Sequence, residues 1–126
     1  MQSVNVFSTP IFVDAISSER WSSSTQGYCM CLTRSHCQLF GHWLTTKGDW
    51  LSIRDYELLQ GIPPGLIDYE GAVKPRSYAV MLGNAMSMNV LMALVPCVLH
   101  AAGLIDEAAL AVFRAQTALY LEHLGL

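Results

Sequence analysis

From Tyr78 to Ile105 the sequence contains no Asp, Glu, Lys or Arg. An uncharged run this long has to leave water, either in a bilayer or against other protein. Gly83, Asn84, Ser87, Asn89, Pro96 and His100 interrupt it, and no Lys or Arg cluster flanks its C-terminal side. Those two features disfavour a membrane span. The run instead predicts a helix buried on all sides in a larger fold, because Met88, Val90, Leu91, Leu94, Val95, Val98 and Leu99 put apolar groups on nearly every face. Asn84 is its expected N-cap, and Pro96 is expected to kink or divide it.

A second helix is marked by its end signals. Ser52 followed three residues later by Asp55 has capping-box spacing, so a helix is expected to begin at Ile53. Gly61 can take the left-handed conformation past a helix end, and Pro63 forbids continuation. Turn chemistry follows in Pro63-Pro64-Gly65 and Asp68-Tyr69-Glu70-Gly71, then a short helix over Ser77–Leu82. Asp106 caps an expected last helix, Glu107 to Leu124, with Leu110, Phe113, Tyr120 and Leu124 along one side and Thr117 the only polar residue in that stripe.

The N-terminal half reads differently. Val4, Val6, Phe7, Ile11, Phe12 and Val13 alternate loosely around Pro10, which favours short or edge strands. Polar Ser17–Gly27 reads as a loop around Trp21, Tyr28–Thr33 as a strand, Phe40–Leu44 as a further strand and Thr45–Asp49 as its turn. Trp21, Trp43 and Trp50 are expected to pack a small sheet rather than stack on bases, since no basic groove surrounds them. The fold class is therefore α+β, with short antiparallel strands and hairpins first and three or four helices after them. Three regions follow: 1–51, 52–104 and 105–126.

Composition limits what the chain can do. With 126 residues there is room for one modest core, and 52% hydrophobic against 13% charged residues is too apolar for a disordered tail. Some apolar surface is expected to face a partner. A net charge of −3 argues against holding nucleic acid by global charge. Between Arg20 and Gly48, however, Arg20, Arg34 and Lys47 occur without any Asp or Glu, so contact with DNA would fall in the first half. Met1 to Ala15 has neither a basic start nor a long apolar core, which makes a reducing intracellular compartment the expectation for Cys29, Cys31, Cys37 and Cys97. Cys29, Cys31, His36, Cys37 and His42 lack the usual two-residue ligand gaps, so no metal site is assigned.

The order of these elements resembles the C-terminal end of a DNA (cytosine-5) methyltransferase. Arg54, Asp55, Leu58, Leu59, Gln60, Gly61, Ile62 and Pro63 fall on that family's penultimate motif, an arginine-bearing helix ending in Leu-Gln-Gly-aromatic-Pro. Gly83, Asn84, Ala85 and Met86 fall on its last motif, Gly-Asn-Ser-Val followed by a helix. Leu58 replaces the family's second arginine and Ala85 its serine. Val13-Asp14-Ala15-Ile16-Ser17-Ser18 and Cys29-Met30-Cys31-Leu32-Thr33-Arg34 are similar to the end of the target-recognition region, with Cys31 in place of the threonine of its Thr-Leu-Thr-like segment, so the likeness spans about residues 11–104.

The resemblance implies the small domain and returning C-terminal helix of a class I, Rossmann-like methyltransferase. It implies DNA contacts from Leu32, Thr33 and Arg34, and a partial S-adenosylmethionine site at Asn84, Ala85 and Met86, Ala85 acting through its backbone. Ser52, Arg54, Gln60, Gly61 and Gly83 would be structural, with Arg54 bracing the recognition region through Asp14, Asp49 or DNA phosphate. No catalytic residue is assigned. Pro96-Cys97 matches the family's nucleophile dipeptide but lies in the apolar helix, where Cys97 is expected to be a buried structural thiol. The glycine-rich cofactor loop, the Glu-Asn-Val segment and the Gln-x-Arg-x-Arg segment are missing. The expectation is a fragment that is inactive alone and needs an upstream catalytic domain or a separate catalytic chain, in the nucleus if eukaryotic. A non-catalytic interaction module derived from the same fold is the alternative, and self-association is expected of either.

Overall fold

The computed structural model describes residues 5–123, so the expectations for Ser3, Val4 and Leu124 lie outside the described residues. Four short strands form one antiparallel sheet in the order β2-β1-β3-β4, namely β1 (Ile11–Asp14), β2 (Ser24–Gln26), β3 (His42–Leu44) and β4 (Asp49–Trp50). Five helices accompany them: α1 (Arg34–Leu39), α2 (Ile53–Leu59), α3 (Pro75–Asn84), α4 (Met88–Ala101) and α5 (Glu107–His123). The α+β expectation holds at that level.

β1 is central because Phe12 and Val13 pair with Thr25 and Ser24 on one side and with Leu44 and Trp43 on the other. The β3–β4 hairpin turns through Gly48 at φ 67° and sets Trp43 opposite Trp50, ring centroids 5.5 Å apart and edge to face. Two of the three tryptophans therefore pack the sheet. Trp21 does not: it is exposed, with the Arg20 guanidinium 5.4 Å above its ring.

Two expectations in this half are corrected. The polar loop over 17–27 contains edge strand β2, which needs only backbone partners on β1. Tyr28–Thr33 is not a strand; it is irregular and leads into α1. Thr33, at φ −110° and ψ 157°, caps α1, and Phe40 closes it in the left-handed conformation at φ 51°. That conformation strains a residue with a Cβ. Phe40 is held there by stacking on Tyr56, centroid to centroid 6.2 Å.

The capped helix forms as its sequence signals require. Ser52 Oγ accepts the Asp55 N–H while the Asp55 carboxylate accepts the Ser52 N–H, and Gly61 follows at φ 74°. Lys47 adds a charged bond to Asp55, tying the sheet hairpin to the start of α2. Cys37, Leu51, Tyr56, Ile62, Tyr78, Ala79 and Leu82 make the core, where α1 and α2 each pack on α3.

α3 begins at Pro75 rather than Ser77, since proline suits the first helical turn, where its missing N–H costs nothing. It runs through Gly83 and ends at Asn84. Asn84 is thus the last residue of α3 and not the cap of the long apolar helix, which starts at Met88 with Ser87 in the cap position. Gly83 has a packing role: a Cβ there would lie 2.6 Å from Thr33 O and 2.9 Å from Arg34 Cα. The missing side chain lets α3 approach the start of α1.

α4 runs unbroken through Pro96 and packs mainly on α5, whose cap is Asp106 Oδ1 accepting the Ala109 N–H at 2.8 Å. Leu110 is buried between the two, and Tyr120 is half-buried with its hydroxyl 3.5 Å from Met88 Sδ, whereas Phe113 is 41% exposed. Within this chain α4 is covered on one side only. Val90, Leu94, Val95 and Val98 are exposed, because α5 covers one flank and the described residues offer nothing for the other. Pro75–Ala101 meets a membrane span's length and hydropathy by composition, but the break at 85–87 divides it into helices of 10 and 14 residues. Each falls short of the roughly 20 residues that cross a bilayer.

Candidate functional site

Gln60 follows the last residue of α2 and is 6% exposed. Its side-chain amide donates to Leu82 O at 2.7 Å and to Ala85 O at 3.2 Å, while its own carbonyl accepts the Met88 N–H at 2.8 Å. Three bonds from one residue therefore fix both ends of the turn between α3 and α4. Gly61 completes the contact, since any Cβ there would strike the Asn89 side chain in the first turn of α4. Asn89 Oδ1 is buried with no hydrogen-bond partner.

This junction floors an open cleft of about 480 Å³. Cys29, Met30, Cys31 and Leu32 form one wall, Ala85, Met86, Ser87 and Val90 the other, with Leu59 and Gln60 between. Ala85 and Met86 are exposed, and Ser87 makes no side-chain capping bond, which leaves its hydroxyl open to a ligand. Asn84 is exposed on α3 and is not among the residues lining the cleft. The volume lies in the range of small-molecule sites.

The other wall continues into the expected DNA-facing segment. Leu32 is half-buried against the core, whereas Thr33 and Arg34 are exposed at the start of α1. Thr33 Oγ1 lies 2.7 Å from His36 Nδ1, and His36 Nε2 lies 3.0 Å from Asp14 Oδ2. When Nε2–H donates to the carboxylate, Nδ1 accepts the Thr33 O–H, so the hydroxyl is oriented by a chain that starts on β1. Burial opposes ionisation of Asp14, but bonds from Ser17, His36 and the Ile16 N–H outweigh it and hold the carboxyl at about 2.

Behind His36 the polar groups continue inward. Its ring centroid is 5.3 Å from that of His42, which is fully buried on β3 with Nδ1 3.1 Å from the Tyr56 hydroxyl. His42 Nε2 has no hydrogen-bond partner among the described residues. Burial, and then the neighbouring His36, lower the His42 pKa below its ordinary value, and Asp14 only partly opposes them. His42 is accordingly neutral at neutral pH.

Arg54 does not reach Asp14 or Asp49. Its guanidinium lies 3.7 Å from the carboxylate of Glu57, three residues along the same helix, because Asp14 is engaged by His36 and Asp49 accepts the Trp50 N–H. Glu57 is fully buried and also accepts the Tyr78 hydroxyl at 3.0 Å. Burial first, and then that bond, push the Tyr78 hydroxyl up to about 12. Arg54 thus lends only its charge to this internal carboxylate, whose Oε2 has no hydrogen-bond partner among the described residues, while Oε1 joins α2 to α3.

Cys97 is exposed on α4, not buried, and all four cysteines are free thiols. Burial raises Cys29 and Cys37 to about 11, so neither is poised as a thiolate at neutral pH. Among the described residues no group of three or more His, Cys, Asp or Glu could hold a metal ion. Sequence reading gave no role to His36, His42 or Glu57. Nothing local marks them, since Asp14 and His36 stand 22 residues apart and Glu57 and Tyr78 stand 21 apart. Comparison with protein-family models, curated proteins and solved structures finds no match to the chain.

Proposed function

We propose that this chain forms the recognition end and returning helix of a DNA (cytosine-5) methyltransferase, acting beside a catalytic domain that supplies the nucleophile. The observation that carries the reading is the meeting of its two motif segments. Arg54–Pro63 and Gly83–Met86 are separate in sequence, yet Gln60 bonds directly to Leu82 and Ala85, and the recognition-like segment 29–32 faces them across one cleft.

In this arrangement Arg34 and Thr33 meet DNA at the start of α1, where a guanidinium and an oriented hydroxyl contact phosphate or a guanine edge. Ala85, Met86 and Ser87 hold the amino-acid end of S-adenosylmethionine, which supplies the methyl group for cytosine C5. The attack on C6 needs a thiolate. Pro96-Cys97 lies within α4 rather than on a loop, so in this reading that group comes from the catalytic domain. The uncovered side of α4, with Val90, Leu94 and Val98, is the surface that docks there.

The same exposed surface favours a second reading, a non-catalytic interaction module that keeps the docking helix without cofactor chemistry. Both are tested by mixing residues 1–126 with a purified cytosine-5 methyltransferase catalytic domain truncated before its own recognition region. Calorimetry is expected to show a complex that binds S-adenosylmethionine more tightly than either component. A complex with no gain in cofactor affinity supports the interaction module, and absence of a complex refutes both.

A further inference from the structure

We infer that Gln60 is a positioning residue that sets the Gly83–Ser87 turn, coupling the recognition half of the chain to the proposed cofactor half. The coupling to cofactor rests on the methyltransferase reading, whereas the setting of the turn does not. Ser87 has no side-chain cap, Asn84 ends α3, and Ala85 and Met86 are exposed, so the turn has little packing of its own. What holds it is Gln60. Both amide protons of its side chain go to the carbonyls of Leu82 and Ala85, and its backbone carbonyl takes the Met88 N–H. A bare helix end would leave those groups to water.

Gln60 itself is anchored on the opposite side. Its N–H bonds to Tyr56 O, and the Tyr56 hydroxyl meets His42 on β3, so the chain of contacts runs from the sheet through α2 to the turn. Gly61, at φ 74°, keeps the contact close because Asn89 occupies the space its Cβ would need. A movement of β3 against α2 therefore reaches Ala85 and Met88 through a polar link, not through loose loop packing.

Gln60→Glu distinguishes positioning from general stability in one protein. At pH 8 the ionised carboxylate has no proton to donate and faces two carbonyl oxygens; once protonated, it regains one donor. Hydrogen exchange measured on full-length chain is expected to show protection of the Ala85 and Met88 amides falling about tenfold or more at pH 8 and recovering towards pH 5 after correction for intrinsic rates. The Leu44 and Leu110 amides should keep wild-type protection throughout. Unchanged Ala85 and Met88 protection at pH 8 overturns the inference, and so does equal loss at Leu44 and Leu110, which would make Gln60 a general stabiliser. In complex with a catalytic domain, Gln60→Glu should weaken S-adenosylmethionine binding more at pH 8 than at pH 5. An equal effect at both overturns the coupling. Failure of the wild-type complex to bind cofactor overturns the methyltransferase reading and the coupling with it, while the exchange pattern still decides whether Gln60 sets the turn.

Discussion

Gly83→Ala sets two opposing effects against each other at one atom. Alanine is favoured over glycine inside a helix by about 1 kcal/mol, and Gly83 lies within α3, so propensity alone predicts stabilisation. Packing predicts the reverse. The new Cβ would stand 2.6 Å from Thr33 O, 2.8 Å from Thr33 C and 2.9 Å from Arg34 Cα. All three are backbone atoms, so no side-chain rotation relieves them, and α3 must shift away from α1 across the buried Ala79 and Leu82. Overpacking of this kind costs roughly 1–3 kcal/mol, and backbone neighbours place it at the upper end. The net expectation is a loss of about 1–2 kcal/mol, which for a domain of this size lowers Tm by roughly 4–10 °C. Thermal melts followed by circular dichroism read this directly. Gly71→Ala is the control, since its φ of 84° strains alanine but no atom lies within 4 Å. A Gly83→Ala melt at or above wild type would refute the close approach of α1 and α3.

Three further outcomes follow from the site. Ser52→Ala should cost about 1 kcal/mol in urea denaturation by breaking the capping box, and no change would remove that box from the account. Stability should fall with acid in two windows. His42 is depressed in the fold, so its contribution is intact above the ordinary value of 6.5 and is lost as pH drops below it. Asp14, lowered from 3.8 to about 2, adds on the order of 2 kcal/mol above pH 3.8 that disappears as pH falls towards 2. A urea midpoint that stays level from pH 7.5 to 5 contradicts the role of His42. Ellman titration at pH 8 should find Cys31 and Cys97 fast and Cys29 and Cys37 slow, because the first pair is exposed and burial holds the second pair near 11. Four equally fast thiols would contradict the placement of the 29–37 segment.

Helix ends were legible in sequence where a local chemical signal and the tertiary fold agree. Ser52, Asp55 and Gly61 bracket α2, and Asp106 caps α5, because those bonds form within three residues of each other. Asn84 carried the same kind of signal and was overruled, since Pro75 starts α3 early enough for its last turn to absorb Gly83 and Asn84. α1 had no local signature to read. Six residues with a single buried side chain, Cys37, form a helix because Thr33 caps them and α3 packs on them. β2 was hidden for a related reason: Ser24, Thr25 and Gln26 are polar, and only β1 makes them a strand. The cleft was half legible. Ala85 and Met86 line it and Asn84 does not, and its second wall depends on Tyr28–Thr33 being irregular rather than extended. The partners of Arg54 and Asp14 were lost for want of distance information, since each carboxylate was claimed by a nearer group.

Methyl transfer tests the central claim most directly. Residues 1–126 alone, then with a cytosine-5 methyltransferase catalytic domain lacking its recognition region, are incubated with tritiated S-adenosylmethionine and cytosine-containing DNA. The account predicts no incorporation by the chain alone, incorporation at cytosine C5 by the pair, and a lower rate with Arg34→Ala that is most marked at high salt. Incorporation by the chain alone, or none by a pair shown to be assembled, would contradict it.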